Sequence, residues 1–195
     1  SQAIDGLSRW FGEAEKIWNR IRGKKSKYDL YEWVDHLGKL TRQNPKAKYR
    51  VVFPGPSSSY LVSAVLPYEK VLAKTEGVII PLRSVILDHA LLHYETDSED
   101  EAYYLASLLN SATIDQIIKP FQSTGKGGAQ NIHKKPLELP IPTYDRRNPD
   151  HRELVKLGRE CARLVSVVLP DIASQYTGIG PIRRAVKEKI SPQLS

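Results

Sequence analysis

Apolar residues recur along this chain at two spacings, and the changes between them mark its segments. In residues 3–22, Leu7, Trp10, Phe11, Ala14, Ile17, Trp18 and Ile21 fall on one side of a 3.6-residue helix. Such a stripe is a core or docking face rather than a functional aromatic box, and it suits packing against a further N-terminal part. A second helix is predicted over 28–40, carrying Leu30, Val34 and Leu37 with Trp33 buried. Asn44-Pro45 closes it. The spacing then shortens to that of strands, predicted at 49–53, 60–66, 77–82 and 84–94, with Pro81 at an edge or bulge. The 54–59 turn, rich in proline and serine, is short and polar.

Helical periodicity returns at residue 98. Ser98 and Glu101 have capping-box spacing, and Ala102, Leu105, Ala106, Leu108 and Leu109 make an apolar face behind them. Thr113 and Gln116 repeat the capping spacing, and Pro120 should end that second helix near Lys119. After a glycine-bearing loop comes a proline-punctuated strand over 138–141. Asn148 with Pro149 is a helix start, and Leu154, Leu157, Cys161, Leu164, Val165 and Val168 form a stripe that Pro170 should stop. Residues 178–181 open a last basic helix that runs to 190.

Together these elements predict an α+β domain: a curved mixed or antiparallel sheet from about 48 to 94 plus the 138–141 strand, with helices 98–120 and 150–169 packed on it. The expected division is a helical flank over 1–45, the α+β domain over 46–169 and a basic helical tail over 170–195.

Composition narrows the partner. The 195 residues are 41% hydrophobic and 26% charged, ordinary values for a globular chain. The net charge of +7 favours an anionic partner, and nucleic acid fits better than membrane. No apolar run approaches a bilayer span. The single Cys161 makes neither an internal disulfide nor a cysteine zinc site, which suits a reducing cytoplasm. Methionine is absent, and Ser-Gln-Ala at the start reads as the edge of a piece of something longer.

The candidate chemistry lies between Asp115 and Glu138. No carboxylate separates them, while Lys119, Lys126, Lys134, Lys135 and His133 supply cationic groups. Gly125, Gly127 and Gly128 allow close backbone approach and outward N–H groups, as in an anion-binding nest. Gln122, Ser123, Thr124, Gln130 and Asn131 add neutral donors and acceptors for phosphate or base edges. A second basic run, Lys24, Lys25 and Lys27 with Lys16, Arg20 and Arg22, is either a solvated face or a track for phosphates. His89 and His93, four apart beside Asp88, have the spacing of a metal pair on a helix. They fall on a predicted strand with no third ligand arranged nearby, so core or surface histidines are expected.

Several strings carry a family resemblance. Glu101-Ala-Tyr-Tyr-Leu, Leu109-Asn-Ser, Ile118-Lys-Pro-Phe-Gln, the Gly125–Gly128 run and Ile132-His-Lys-Lys-Pro-Leu-Glu-Leu-Pro-Ile-Pro resemble the C-terminal target-recognition region of adenine-specific DNA methyltransferases of restriction-modification and phage-defence systems. The likeness spans roughly residues 37–168. It implies a partner in duplex DNA and a second in a catalytic methyltransferase domain on the N-terminal side of the same parent chain. It also implies phosphate contacts by Lys126, Lys134 and Lys135 with the N–H groups near Gly127 and Gly128, and base contacts by Gln130 and Asn131. Gln122 and Ser123 would flank these, and His133 would serve either role. The 56–59 turn would share the base reading.

The catalytic half is missing from this sequence. Neither the glycine-rich cofactor turn nor an Asn/Asp-Pro-Pro-aromatic motif occurs, since Asn44-Pro45 and Asn148-Pro149 lack the second proline. Gly125-Lys-Gly-Gly is no Walker A loop, and no metal-nuclease tripeptide is present. The expectation is a non-catalytic DNA-binding segment with no cofactor of its own and S-adenosylmethionine bound by the parent enzyme. Two readings stand against it: a protein-interaction module of a multi-subunit complex, and an RNA-binding or nuclease-like protein using His133 or His151.

Overall fold

A computed structural model describes residues 2–44, 46–55, 61–68, 71–75, 78–82, 85–88, 90–125, 128–130, 132 and 135–193, with the backbone alone at 2–4, 71–75, 78–82, 123–125 and 128–130. The chain divides into two units, Ser1–Asn44 and Pro45–Ser195, each treated by itself.

In the first unit helix α1 (Gln2–Ile21) carries the aromatic stripe, and that stripe is divided. Phe11 stacks on Tyr31 at 5.8 Å and Trp18 lies 4.7 Å from Trp33, so these two turn toward helix α2 (Leu30–Val34). Leu7, Trp10, Ile17 and Ile21 stay exposed. Helix α2 is far shorter than the 28–40 helix predicted. It starts on a reciprocal cap, Asp29 Oδ1 accepting from Glu32 N–H at 2.7 Å and Glu32 Oε2 accepting from Asp29 N–H at 3.0 Å. It ends because Asp35 accepts from Leu40 N–H and from the Thr41 hydroxyl, while Leu37 and Gly38 turn left-handed at φ 62° and 67°. Trp33, expected to be buried, is 54% exposed, because one turn of helix offers it only Trp18 to lie against.

The second unit is α+β. Its main sheet is antiparallel with strand order β2-β1-β5, formed by β1 (Tyr49–Pro54), β2 (Ala64–Pro67) and β5 (Leu91–Thr96). Val51 and Phe53 alternate onto the buried face of the central strand and join Leu61, Ala102, Ala106, Leu109, Ile118 and Ile132 in one core. A side chain of that size contributes about 1.5–3 kcal/mol when wholly buried. On the other face Arg50 is buried, its guanidinium donating to the Val85 carbonyl and pairing with Glu95 at 3.4 Å. The predicted 84–94 strand begins only at Leu91, after a turn in which Leu91 N–H donates to Asp88 O. Strands β3 (Val71–Thr75) and β4 (Val78–Leu82) form a separate hairpin; β3 was not foreseen, its Ala-Lys-Thr end giving no alternation.

Helix α3 (Glu99–Leu109) is capped by Ser98, whose Oγ accepts from Glu101 N–H at 3.2 Å. The Glu101 carboxylate does not reach back as a capping box requires. It accepts instead from Thr96 Oγ1 and Tyr94 OH, which ties the helix start to β5. Helix α4 (Ala112–Ile118) is capped by Ser111 rather than Thr113. Asn110, between the two helices, accepts from Ser63 N–H at 2.8 Å and donates to Ser63 O at 2.9 Å, pairing an otherwise unladdered backbone.

Helix α6 (Pro149–Gln175) starts on Asn148 as expected but runs through Pro170. Proline costs it one backbone bond, yet Ile172 beyond it is buried, and α7 (Ile179–Ile190) packs back on α6. The residue-170 boundary drawn from sequence therefore falls inside a helix. The proline-rich stretch forms no strand: Lys135–Glu138 is one helical turn, α5, and residues 139–145 follow without ladder partners. Pro140 and Pro142 remove the donors such a ladder needs.

Candidate nucleic-acid interface

The carboxylate-free span is built around a small hairpin. Strands β6 (Ser123–Gly125) and β7 (Gly128–Gln130) pair antiparallel, with Ser123 opposite Gln130 and Gly125 opposite Gly128. Ile118 ahead of the paired strands and Ile132 after them lie in the core, 2% and 0% exposed, and Pro136 is fully buried one turn further on.

The candidate residues divide into three groups. Lys126, Gly127, Asn131, His133 and Lys134 lie outside the described residues. Ser123, Gly128 and Gln130 are placed on the hairpin by backbone alone. Gln122 and Lys135 are described fully. Gln122 is 7% exposed with its Oε1 unpaired. Lys135 opens helix α5, a turn in which Pro136 is buried.

The acids that bound the span also matter. Lys119 pairs with Asp115 at 2.8 Å and Lys135 with Glu138 at 2.7 Å. Both pair residues three or four apart, and the Lys135–Glu138 pair, exposed on both sides, is weak and salt-screened. The Lys135 ammonium also sits 5.8 Å over the Phe121 ring. Phe121 is 63% exposed beside the hairpin base, an aromatic face that sequence reading took only as part of a string. Its one signal was an aromatic between a proline and a polar loop.

Of the histidines weighed from the sequence, His89 and His133 lie outside the described residues, while His93 and His151 have structural surroundings. His151 Nδ1 accepts from Asp145 N–H at 3.0 Å, Nε2 faces Tyr104 Oη at 3.5 Å, and Tyr104 donates to Pro142 O at 3.0 Å. The ring lies against Tyr104 and Tyr144, so the group pins the 142–148 segment onto α3 and α6. Burial lifts the Tyr104 phenol above its usual range. Nothing in this arrangement leaves an imidazole nitrogen aimed at a substrate. His93 lies on β5, 3.5 Å from Glu95, and burial holds its pKa below the ordinary value. Among the described residues no three His, Cys, Asp or Glu side chains converge, and no helix is long and apolar enough to cross a membrane.

No family model, curated protein or solved structure matches this chain.

Proposed function

We propose that Pro45–Ser195 is a DNA-binding target-recognition domain, holding and reading duplex DNA for an adenine-specific methyltransferase domain that acts on an extruded base. The observation that carries it is the carboxylate-free span 116–137, within which Ser123–Gly125 and Gly128–Gln130 pair as strands between the core residues Ile118 and Ile132. Net charge of +7 and the resemblance of residues 37–168 agree with it. In this reading Lys126, Lys134 and Lys135 bind phosphates, backbone N–H groups at Gly127 and Gly128 assist, and Gln130 and Asn131 reach base edges. The chain is non-catalytic by itself, binds no S-adenosylmethionine, and works in the cytoplasm beside the domain that does.

Fluorescence anisotropy with duplex DNA tests the reading. The expected non-specific Kd is roughly ten to a hundred micromolar at physiological salt, weakening as salt rises. Replacing Lys126 or Lys134 by Ala should weaken binding to all sequences alike and lower the salt slope by about one unit each. Duplex binding unaffected by both changes would remove the hairpin from the interface.

A further inference from the structure

The first unit contains a cleft that the hairpin reading does not use. The carbonyl of Tyr28 accepts from Trp18 Nε1 and from Arg22 Nη1, both at 3.3 Å, which folds the basic segment after α1 back onto that helix's end. The Asp29–Glu32 cap then launches α2 so that the Trp18 and Trp33 rings lie 4.7 Å apart, inclined by 33°. Tyr28 meets His36 edge-on at 5.3 Å. Between these rings and the amines of Lys25 and Lys27 is an open cavity of about 650 Å³, with Ser26 also on its wall. That volume lies within the range of small-molecule sites.

The chemistry of the wall is selective. Among the described residues no carboxylate lines it. The nearby acids are turned to other tasks: Asp29 and Glu32 cap each other's backbone, and Asp35 accepts from Leu40 N–H and the Thr41 hydroxyl. Trp33 is 54% and Tyr28 44% exposed, so flat faces are left open beside two ammonium groups. A ligand that satisfies both must be planar at one end and anionic at the other. A paired base is already covered on both faces within its duplex and cannot enter. An unpaired one can, since base–aromatic stacking needs only a π-face and lysines take the phosphate.

We propose that this cleft binds an unpaired nucleotide, its base against Trp33 and Trp18 and its phosphate held by Lys25 and Lys27. The nucleotide belongs either to a single DNA strand or to a free nucleoside phosphate. The proposal stands whether or not the hairpin binds duplex DNA.

The whole chain is titrated with a short deoxyadenylate strand, with the same strand paired as a duplex, and with adenosine monophosphate, following tryptophan emission. All three tryptophans lie in Ser1–Asn44 and two of them wall the cleft, so stacking quenches the signal directly. The single strand should quench and the duplex should not. Trp33→Ala should weaken strand binding roughly five- to a hundredfold, and Trp33→Phe should retain most of it. The Lys25→Ala/Lys27→Ala pair should lower the salt slope by about 0.7 units, the value for one phosphate contact on a single strand. Adenosine monophosphate binding as tightly as the strand identifies a free-nucleotide site; much weaker binding identifies a strand site. Lys126→Ala and Lys134→Ala should leave the quench unchanged, which separates this site from the duplex reading. Far-UV spectra check each variant's fold, and the two lysine changes stand even if Trp33→Ala misfolds. Absence of quenching by both single strand and mononucleotide overturns the proposal, as does a salt slope unaltered by the double lysine change.

Discussion

Gly158 is the position where a single added methyl group should do most damage. Helices α3 and α6 pack together there, and a Cβ on Gly158 would stand 2.3 Å from Ser107 Oγ and 2.8 Å from the Tyr103 carbonyl oxygen. The two obstacles differ. Ser107 can rotate away, but its hydroxyl lies 2.7 Å from Leu154 O and would give up a bond that joins the helices, about 1 kcal/mol. The Tyr103 carbonyl is backbone and retreats only if α3 moves, and overpacking of this kind costs about 1–3 kcal/mol. Against this, alanine is favoured over glycine within a helix by about 1 kcal/mol. The clash outweighs propensity, and Gly158→Ala should destabilise the second unit by about 1–3 kcal/mol. Urea unfolding followed by far-UV circular dichroism and tyrosine signals is the assay, since every tryptophan lies in Ser1–Asn44. Adding Ser107→Ala should recover only part of the loss, because the carbonyl contact survives it. An unfolding midpoint for Gly158→Ala at or above that of the unaltered chain would refute the close approach.

Three further outcomes are expected. Asn110→Ala leaves the Ser63 N–H and carbonyl without partners and should cost about 1–3 kcal/mol in the same unfolding assay, with Asn110→Asp losing less because the acceptor remains. Burial, helped by the charge of Arg50 and opposed by Glu95, holds His93 below its ordinary value near 6.5, so the folded chain binds fewer protons there than the unfolded one. Stability should therefore rise with pH up to that unfolded value and be lost as pH falls below it; His93→Gln should flatten the slope of unfolding midpoints between about pH 5 and 7. Burial, with Glu160 nearby, raises the Cys161 thiol, so alkylation should run slower than for a free cysteine at neutral pH and still be accelerating in mildly alkaline buffer. Alkylation at the free-thiol rate would place Cys161 outside the packed face of α6.

What the sequence determined by itself is what neighbouring residues decide among themselves. The stripes of α1, α3 and α6, the Ser98 and Asn148 caps, the alternation of Val51 and Phe53, and the break near Asn44-Pro45 all rest on local periodicity, backbone sterics and caps within three residues. The carboxylate-free span was legible in the same way, as a count of charges along the chain. Other features depend on distant partners that no local pattern encodes. Pro170 would end an isolated helix, but burial of Ile172 and packing of α7 offset one missing bond. Residues 135–138 form a helical turn in which Pro136 is buried. Trp33 stays exposed because Asp35 and Thr41 cut its helix short. The bounding acids Asp115 and Glu138 engage two of the lysines that a linear count leaves unpaired, because helical turns bring residues three or four apart together. Tertiary structure alone sets Trp18 and Trp33 beside Lys25 and Lys27, since the Tyr28 carbonyl must fold back on α1 before rings and amines share one cleft. In each case desolvation and packing energies from residues far along the chain exceed the fraction of a kcal/mol to roughly 1 kcal/mol that local preference supplies.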